Sequence, residues 1–415
     1  MNIKLQLYGA VKSGHVTITG SKSETNRLLL LQALYPGIAI TNISQSDDSI
    51  AMQTALANTG DVIDIHHAGT AMRFLTAYFA IQNGREITLT GSQRMTERPI
   101  GVLVDALRSL GAQIDYLGNE GYPPLKISGK KLTVNKVTIN AGVSSQYITA
   151  LLLIAGKLKN GLEIVLEGEL TSVPYIKMTL ALLTEVGIAN SFEGNVIKVK
   201  PAIGNQQSKI LNLKSEITVE SDWSSASYFY SIVALADVGT QIVLSSYKVN
   251  SLQGDSALAT IYEELGVQTS FNGNSITLTR LDFNPQTLMA ELNNTPDIAQ
   301  TIAVSCFGLG IGCQLTGLHT LKIKETDRLQ ALKTELNKFG AAISVTNDSL
   351  SLQAGFNPPA GAVAVDTYND HRMAMAFAPL AIKTPVIIND AGVVSKSFPT
   401  FWDDLRVLNF SVNRL

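Results

Sequence analysis

Residues 332–353 read LKTELNKFGAAISVTNDSLSLQ, a segment in which an amphipathic helical pattern stops at a glycine and two strand patterns follow. A glycine in the place of Gly340 is typical of the left-handed residue that ends many helices. The Asn-Asp pair that separates the two alternating patterns is a signal for a hairpin turn. The segment therefore predicts a helix, a strand and a second strand that returns beside the first.

The same pattern recurs along the chain at intervals of roughly 50–80 residues, which indicates a repeated unit of helices and sheet. In the last copy Asn409 stands where the glycine would be, and asparagine also serves as a helix C-cap. The further copies are ALRSLGAQIDY (106–116), LALLTEVGIANSF (180–192), IYEELGVQTSF (261–271), FWDDLRVLNFSV (401–412) and a weaker one, MQTALANTGDVIDI (52–65). Six units favour an α/β protein of two domains with three units each. The boundary is expected near Val219–Asp222, and the first strand could pair with either domain.

The composition is typical of a large folded protein without a broad field of charge. With 415 residues, of which 45% are hydrophobic and 16% charged, the chain can form two or three packed domains. A net charge of −2 argues against nucleic acid and acidic membranes as partners, because both need an extended basic surface. Residues 1–14 lack the apolar segment of a secretory signal, and no apolar run could span a bilayer, so we expect a cytoplasmic protein.

The cysteine and histidine pattern predicts no metal site. Cys306 and Cys313 lie in apolar surroundings without a histidine nearby, as is typical of buried small side chains in a reducing compartment. His66 and His67 are adjacent, so their side chains would not converge on one ion as a pair four residues apart on a helix can.

Seven polar clusters stand out, and most of them lie at the start of a predicted helix. They occupy residues 20–27, 68–73, 94–99, 144–146, 296–297, 324–328 and 369–372. Serine and aspartate there are also ordinary N-caps, but a cation at a helix N-terminus opposes the helix dipole, and an anionic ligand would explain its presence. The candidate cations are Lys22, Arg27, Arg98, Lys324, Arg328, Arg372 and Lys396. The acid–base candidates beside them are Asp297, Glu325 and His371.

These clusters resemble the motifs of the 3-phosphoshikimate 1-carboxyvinyltransferase (EPSP synthase) family. The matching segments run in order from residue 20 to residue 399 and read GSKSETNR, AGTAMR, QRMTERPIG, VSSQYITALL, SVPYI, SDWSSASYF, NSLQGD, PDIAQT, KETDRL, YNDHRMAM and SKSFP. The resemblance implies a two-domain inside-out α/β barrel built from six βαβαββ-type repeats, three in each domain. It places residues 1–19 with 221–415 in one domain and 20–220 in the other, with the active site in the cleft between them.

The resemblance also implies an activity, which is transfer of the enolpyruvyl (carboxyvinyl) group of phosphoenolpyruvate to the 5-hydroxyl of shikimate 3-phosphate, with release of phosphate. This transferase reaction belongs to the shikimate pathway, which leads to chorismate and the aromatic amino acids. It requires no metal or organic cofactor. The two substrates are then the partners of the protein, which we expect to be a monomer that binds neither nucleic acid nor membrane.

Roles for single residues follow from the same resemblance. Asp297 would deprotonate the 5-hydroxyl and Glu325 would protonate the methylene carbon of phosphoenolpyruvate, with Lys22 and His371 completing the catalytic group. Shikimate 3-phosphate would be bound by Lys22, Ser23, Arg27, Ser144, Ser145, Gln146, Ser172, Tyr175, Asp297 and Lys324. Phosphoenolpyruvate would be bound by Lys22, Gly69, Arg98, Gln146, Arg328, Arg372 and Lys396.

The chain departs from the family pattern without losing the acid, the base or the main cations. His67, Phe74, Thr320 and Ser221 stand where the family usually has Asn, Pro, Asn and Gly. The segment between residues 48 and 69 is also shorter than usual, so the first repeat should lack its hairpin. Two alternatives remain at this point, a UDP-N-acetylglucosamine enolpyruvyl transferase with the same fold and an anion-binding relative without catalysis. The first usually carries a catalytic cysteine on a mobile loop, and the second would not need both Asp297 and Glu325.

Overall fold

Each full copy of the pattern folds as a helix that ends near a left-handed residue and continues into a strand. The residues at these places are Gly111, Gly187, Gly266, Gly340 and Asn409, whose φ angles are 102°, 82°, 78°, 85° and 77°. A side chain with a Cβ is strained at such angles, and glycine and asparagine tolerate them best. The prediction that Asn409 replaces the glycine in the last copy is confirmed. The structure, a computed structural model, describes residues 1–140, 142, 145–168, 173–202 and 216–415.

The described residues form two units, which we call the terminal unit and the central unit. The terminal unit contains Met1–Gly20 and Glu220–Leu415, and the central unit contains Ser21–Val219. The α-helices of the central unit are Lys22–Leu34, Asp47–Ala57, Gly69–Ala80, Gln93–Thr96, Gly101–Ser109, Ser145–Ala155 and Val173–Glu185. Those of the terminal unit are Trp223–Leu235, Leu258–Glu263, Ala299–Leu309, Arg328–Lys338, His371–Phe377 and Phe401–Val407. Short 3₁₀ helices of the terminal unit are Gly254–Ala257, Pro296–Ile298, His319–Ile323, Ala378–Ile382 and Ala391–Lys396.

The strands form small sheets with one recurring order. In four of the four-stranded sheets that the structure describes, the first two strands are parallel and an antiparallel hairpin follows them, so that the spatial order of the strands, numbered along the chain, is first, second, fourth, third. In the fifth, Ile3–Leu7 lies between Val386–Ile388 and Phe410–Arg414 and is antiparallel to both. The sheets of the central unit, in spatial order, are Val62–Asp64, Glu86–Thr90, Leu125–Ser128, Gln113–Tyr116; and Lys136–Asn140, Leu162–Glu167, Val196–Val199, Asn190–Glu193. Those of the terminal unit are Gly14–Val16, Gln241–Ser245, Ser275–Arg280, Val267–Asn272; Leu288–Glu291, Cys313–Thr316, Leu350–Leu352, Ile343–Val345; and Val363–Val365, Val386–Ile388, Ile3–Leu7, Phe410–Arg414.

The N-terminal strands complete repeats that the rest of the terminal unit leaves open. Strand Ile3–Leu7 pairs antiparallel with both Val386–Ile388 and Phe410–Arg414, and so takes the place of the fourth strand in the last repeat. Strand Gly14–Val16 pairs parallel with Gln241–Ser245 and begins the fourth repeat. The first strand, whose partner the sequence leaves open, therefore belongs to the terminal unit.

The first repeat lacks its hairpin, as the short segment before residue 69 predicts. Its sheet has two strands, Ala39–Thr41 and Glu216–Thr218, which pair in parallel.

The prediction of a weaker helix–glycine–strand copy at residues 52–65 is wrong. Helix Asp47–Ala57 ends at Asn58 in an extended conformation, and strand Val62–Asp64 pairs in parallel with the next repeat, so it begins that repeat.

The first helix of each repeat is almost entirely buried, whereas the second keeps one exposed face. In helix Ala299–Leu309 every residue except Leu309 is buried, and in helix Gly69–Ala80 every residue except Thr70 is buried. A helix that is apolar on all sides belongs in the interior, which explains the uninterrupted hydrophobic runs that follow several polar clusters. The clusters at 20–27, 68–73, 296–297 and 369–372 thus lie at the N-termini of inner helices, whereas those at 94–99 and 324–328 precede second helices. No helix among the described residues has the length and apolarity that crossing a membrane requires.

The chain crosses between its two units twice, beside a buried glutamate. Gly20 and Ser221 form an isolated antiparallel bridge, and the hydroxyl of Ser221 donates to the carbonyl of Ile18. The Glu220 carboxylate accepts from Nε1 of Trp223 at 2.8 Å and from the backbone N–H of Lys248 at 2.9 Å. These bonds fix the second crossing to the terminal unit.

Candidate active site

Arg328 is the centre of a cluster of charges in the terminal unit. It begins helix Arg328–Lys338, and its side chain is 2% exposed. Its Nε donates to Asp370 at 2.6 Å, its Nη1 to Asp297 at 2.8 Å and its Nη2 to Glu325 at 2.7 Å. One buried guanidinium therefore holds both carboxylates that the sequence predicts as base and acid.

Asp297 contacts two further cations. It lies in the turn Pro296–Ile298, which leads directly into an inner helix. Its Oδ1 lies 3.6 Å from Nζ of Lys324, and its Oδ2 accepts from Nη2 of Arg372 at 3.2 Å. The structure thus brings together five predicted site residues of the terminal unit, which are Asp297, Lys324, Glu325, Arg328 and Arg372.

The two arginines of this cluster remain charged because carboxylates surround them. Burial alone lowers the pKa of Arg328, but the facing carboxylates of Asp370, Glu325 and Asp297 raise it above its ordinary value. Burial also lowers the pKa of Arg372, but Asp297 first and then Tyr228, Asp255 and Asp222 together more than offset this, so that its pKa is raised as well. Both guanidinium groups are fixed positive charges beside which an anion would be stabilised.

The turn before helix His371–Phe377 has an unusual backbone. Tyr368 and Asn369 both have positive φ angles, 54° and 56°, and an aromatic residue is rare in that region. The carbonyl of Asn369 accepts from Nζ of Lys396 at 3.0 Å. The turn therefore brings Lys396, another predicted cation, to the residue that precedes Asp370.

Asp370 and His371 are both buried at the start of that helix. The Asp370 carboxylate caps the helix by accepting from the backbone N–H of Arg372 at 2.9 Å, in addition to its bonds from Arg328. Nδ1 of His371 lies 3.9 Å from Oδ1 of Asp370. His371 is 2% exposed, so it lies inside the protein beside the charge cluster.

In the central unit, Lys22 forms an ion pair that the sequence analysis did not foresee. Its Nζ lies 3.4 Å from Oδ2 of Asp48, at the start of the next helix. The neighbouring Asp47 lies 3.9 Å from Nε2 of His67, one of the departures from the family pattern. Two acidic residues at the start of one helix therefore lie beside Lys22 and His67.

Arg27 points into the protein. Its Nε donates to Oγ1 of Thr179 at 2.8 Å and its Nη1 to the carbonyl of Ser23 at 2.6 Å. Its guanidinium also lies 5.5 Å from the centre of the Phe74 ring. Burial lowers the pKa of Arg27 to about 10. The Arg27 guanidinium thus forms hydrogen bonds between helices of the central unit. It would have to exchange these partners in order to contact a ligand.

Gly69 lies beside two arginines, Arg73 and Arg98, at the N-terminus of helix Gly69–Ala80. A Cβ on Gly69 would lie 2.5 Å from Nη1 of Arg98 and 3.2 Å from Nη1 of Arg73. Arg73 is buried and donates to the carbonyls of Gly69 and Pro99 at 3.0 and 3.2 Å. Among the described residues none accepts a hydrogen bond from the Arg98 side chain. Arg98 is thus a half-buried cation at a helix N-terminus, where the backbone N–H groups and the helix dipole also favour an anion.

Other predicted site residues lie at the starts of two further helices of the central unit. Ser145 is buried and Gln146 half-buried at the start of helix Ser145–Ala155. Tyr175 lies in the first turn of helix Val173–Glu185, and its ring centre is 5.7 Å from the Arg27 guanidinium. Ser144 and Ser172, predicted to hold the phosphate of shikimate 3-phosphate, lie outside the residues that the structure describes.

Sequence reasoning gave no role to four charged residues that the structure places against predicted site residues. They are Asp48, Arg73, Asp255 and Asp370. Asp255 is buried near Asp297, although 42 residues separate the two in sequence. Arg73 and Asp370 lie within polar clusters quoted above, which was the available signal for them. For Asp255 the NSLQGD segment was the only signal.

The repeated units place this chain in a class of two-domain α/β proteins, the inside-out α/β barrels. An EPSP synthase from Acinetobacter baumannii has a solved structure that matches with a TM-score of 0.79 at 21% identity, over 100% of both chains. This match confirms the predicted fold class.

Comparison with relatives whose family is known assigns the chain to one family within this fold class. A family model described as EPSP synthase (3-phosphoshikimate 1-carboxyvinyltransferase) matches residues 53–405. The 3-phosphoshikimate 1-carboxyvinyltransferase of Bacteroides fragilis is 45% identical over 401 residues, which cover 96% of this chain and 95% of that protein. The protein of the same name from Erwinia tasmaniensis is 38% identical over 430 residues, covering 96% and 97%. This chain belongs to the EPSP synthase family, as its motifs predicted.

Proposed function

We propose that this enzyme transfers the enolpyruvyl group of phosphoenolpyruvate to the 5-hydroxyl of shikimate 3-phosphate and releases phosphate, as a step of the shikimate pathway. The observation that carries the proposal is the placement of Asp297 and Glu325 on the single guanidinium of Arg328. The reaction needs a base for the attacking alcohol and an acid for the methylene carbon. A cluster with both carboxylates among fixed cations supplies these groups beside a place for anions.

The proposed chemistry has two stages. Glu325 in its protonated form gives a proton to the methylene carbon of phosphoenolpyruvate, which makes the neighbouring carbon electrophilic. Asp297 accepts the proton of the 5-hydroxyl as its oxygen attacks that carbon, and a tetrahedral intermediate forms. The intermediate then expels phosphate, which takes the proton held by Asp297, and the new double bond forms as the methyl group returns a proton to Glu325. Arg328 and Arg372 keep their charges throughout and stabilise the negative charge that develops on the phosphate.

Binding of the two anionic substrates is the second part of the proposal. Arg98, Gly69, Arg328, Arg372 and Lys396 would hold phosphoenolpyruvate, together with Lys22 and Gln146. Ser23, Ser144, Ser145, Ser172, Tyr175 and Lys324 would hold shikimate 3-phosphate, with Arg27 after an exchange of its present partners. These residues come from both units, and His371 is buried beside Asp370. A monomeric state and a cytoplasmic location complete the proposal.

A phosphate-release assay with different acceptors tests the function. We expect release of inorganic phosphate from phosphoenolpyruvate in the presence of shikimate 3-phosphate, and none with UDP-N-acetylglucosamine. The names of the two relatives above favour the first acceptor. Release with the nucleotide sugar alone would support the alternative transferase, and no release with either acceptor would support an inactive relative.

Replacing Glu325 with glutamine should separate binding from proton transfer. The amide oxygen can still accept from Arg328, as the carboxylate does at 2.7 Å, but the side chain can no longer deliver a proton. We expect incorporation of solvent deuterium into the methylene of phosphoenolpyruvate to fall by about 10²–10⁴-fold, which is typical for loss of a general acid. Both substrates should still bind. Deuterium incorporation at the wild-type rate would assign the acid elsewhere, with His371 or Lys22 as the next candidates.

Replacing Gly69 with alanine should weaken phosphoenolpyruvate binding selectively. The new methyl group would lie 2.5 Å from Nη1 of Arg98, so the guanidinium must move. Loss of one hydrogen bond to a charged group corresponds to about 1.5–3 kcal/mol, or roughly 10–100-fold in KM for phosphoenolpyruvate. Gly118→Ala is the matched control, because its methyl group would meet only Pro124, at an ordinary 3.8 Å. Equal loss of affinity for both substrates in the Gly69 variant would mean that the helix start itself is distorted.

A further inference from the structure

Asp255 is a buried carboxylate whose two oxygens are bound by hydroxyl groups. It is 4% exposed, Thr295 Oγ1 donates to its Oδ1, and Ser224 Oγ donates to its Oδ2. No lysine or arginine among the described residues forms an ion pair with it within 4.0 Å. A carboxylate that is buried without a direct cationic partner is costly, so its position requires an explanation beyond packing.

Each hydroxyl partner of Asp255 leads to Asp297. Thr295 precedes Asp297 by two residues, at the N-cap of the turn that carries it. Ser224 also accepts from Nη2 of Arg372 at 3.3 Å, and the same Nη2 donates to Oδ2 of Asp297 at 3.2 Å. The contacts form a closed ring that runs from Asp255 through Ser224 and Arg372 to Asp297, and back along the chain through Thr295.

The charges of the two carboxylates are also close enough to interact. Burial raises the pKa of Asp255, and the negative charge of Asp297 raises it further, whereas Arg372 and the two hydroxyl groups act in the opposite direction. A negative charge near a carboxylate favours its protonated form, and this influence is mutual. The other charged groups around the pair are Lys324, Glu325, Arg328 and Asp370.

We propose that Asp255 is a positioning residue of the reaction, which orients Asp297 through Thr295 and orients Arg372 through Ser224. The proposal rests on the function proposed above and deepens it. The carboxylate fixes two hydroxyl groups whose other contacts decide where the base and one cation lie.

The test begins with Asp255→Asn, which keeps the shape of the side chain and removes its charge. We expect kcat to fall about 10–100-fold, the size of effect that a small misplacement of a catalytic group produces. The acidic limb of the pH dependence of kcat should move to lower pH, because removal of the Asp255 charge makes Asp297 easier to ionise. KM for phosphoenolpyruvate should change less than kcat.

Thr295 provides a second pair of variants that does not alter any charge. Thr295→Val removes the hydroxyl at nearly constant shape and should lower kcat like Asp255→Asn, whereas Thr295→Ser keeps the hydroxyl and should restore most of the activity. The double variant of Asp255→Asn with Thr295→Val should lose less than the sum of the two single effects, because both break the same contact. Asp237→Asn is the control, since Asp237 is exposed in the same unit.

A role of Asp255 in stability alone would give a different result. The melting temperature would fall, while kcat and the pH dependence of the folded variants would stay at the wild-type values, and this would overturn the proposal. Thr295→Ser as inactive as Thr295→Val would also overturn it. Failure of the wild-type enzyme to release phosphate would overturn the proposed function and this inference together, whereas an active wild type with unaffected variants would overturn the inference alone.

Discussion

Replacing Asp297 with asparagine is expected to lower kcat by about 10²–10⁴-fold, the usual effect of losing a general base. The amide keeps the size of the side chain, and its oxygen can still accept from Arg328 or Arg372, which lie 2.8 and 3.2 Å from the carboxylate oxygens. It cannot take up the proton of the 5-hydroxyl. We therefore expect a folded enzyme that binds shikimate 3-phosphate and hardly turns over, as measured by phosphate release and calorimetric titration.

A neighbouring carboxylate provides the control for this experiment. Asp327 caps helix Arg328–Lys338 by accepting from the backbone N–H of Gln330 at 3.1 Å, and asparagine caps helices about as well as aspartate. Asp327→Asn should therefore keep nearly full activity. If Asp297→Asn retained more than about a tenth of the wild-type kcat, Asp297 would not be the base.

Replacing Arg328 with glutamine should have the largest effect on stability. The substitution leaves three carboxylates, Asp297, Glu325 and Asp370, without the guanidinium that holds them together. Breaking a buried ion pair from one side typically costs about 3–5 kcal/mol, because the remaining charge stays buried without compensation. We expect a loss of this size in the free energy of unfolding from denaturant titration, together with loss of activity.

An exposed arginine in the same unit shows how much of this effect depends on burial. Arg406 pairs with Asp403 on the surface, where the two side chains are 46% and 76% exposed. Surface pairs of this kind contribute at most about 1 kcal/mol, so Arg406→Gln should leave stability and activity nearly unchanged. Equal losses of stability in the two variants would mean that Arg328 is not the organising centre of the cluster.

The repeat architecture could be predicted because its signals are local. In each full copy a residue with a positive φ angle, such as Asn409, lies between the helix and the strand. The sequence shows this requirement directly, because glycine or asparagine occupies the position. The pairing of strand Ile3–Leu7 with Phe410–Arg414 could not be predicted in this way, since it joins the two ends of the chain. Strand Val62–Asp64 was assigned to the wrong repeat because a short strand does not indicate its partner.

The candidate site was predictable to a similar extent. Cations at helix starts stand out in a chain with few charges, and the structure brings Lys324, Arg328 and Arg372 together around Asp297. The sequence does not show with which carboxylate or hydroxyl group a given cation pairs. Arg27 turns inward to Thr179, 152 residues away, and the NSLQGD segment does not show that the carboxylate of Asp255 is buried beside Ser224 and Thr295.

Phosphorus NMR of the wild-type enzyme with equal amounts of phosphoenolpyruvate and shikimate 3-phosphate tests the central claim most directly. It observes both substrates, the released phosphate and the new ester in one sample. We predict that the phosphoenolpyruvate signal decreases as inorganic phosphate appears, while the shikimate 3-phosphate signal is replaced by that of a second phosphate ester. Inorganic phosphate that appears at the same rate without shikimate 3-phosphate, or two substrate signals that stay unchanged, would contradict enolpyruvyl transfer by this protein.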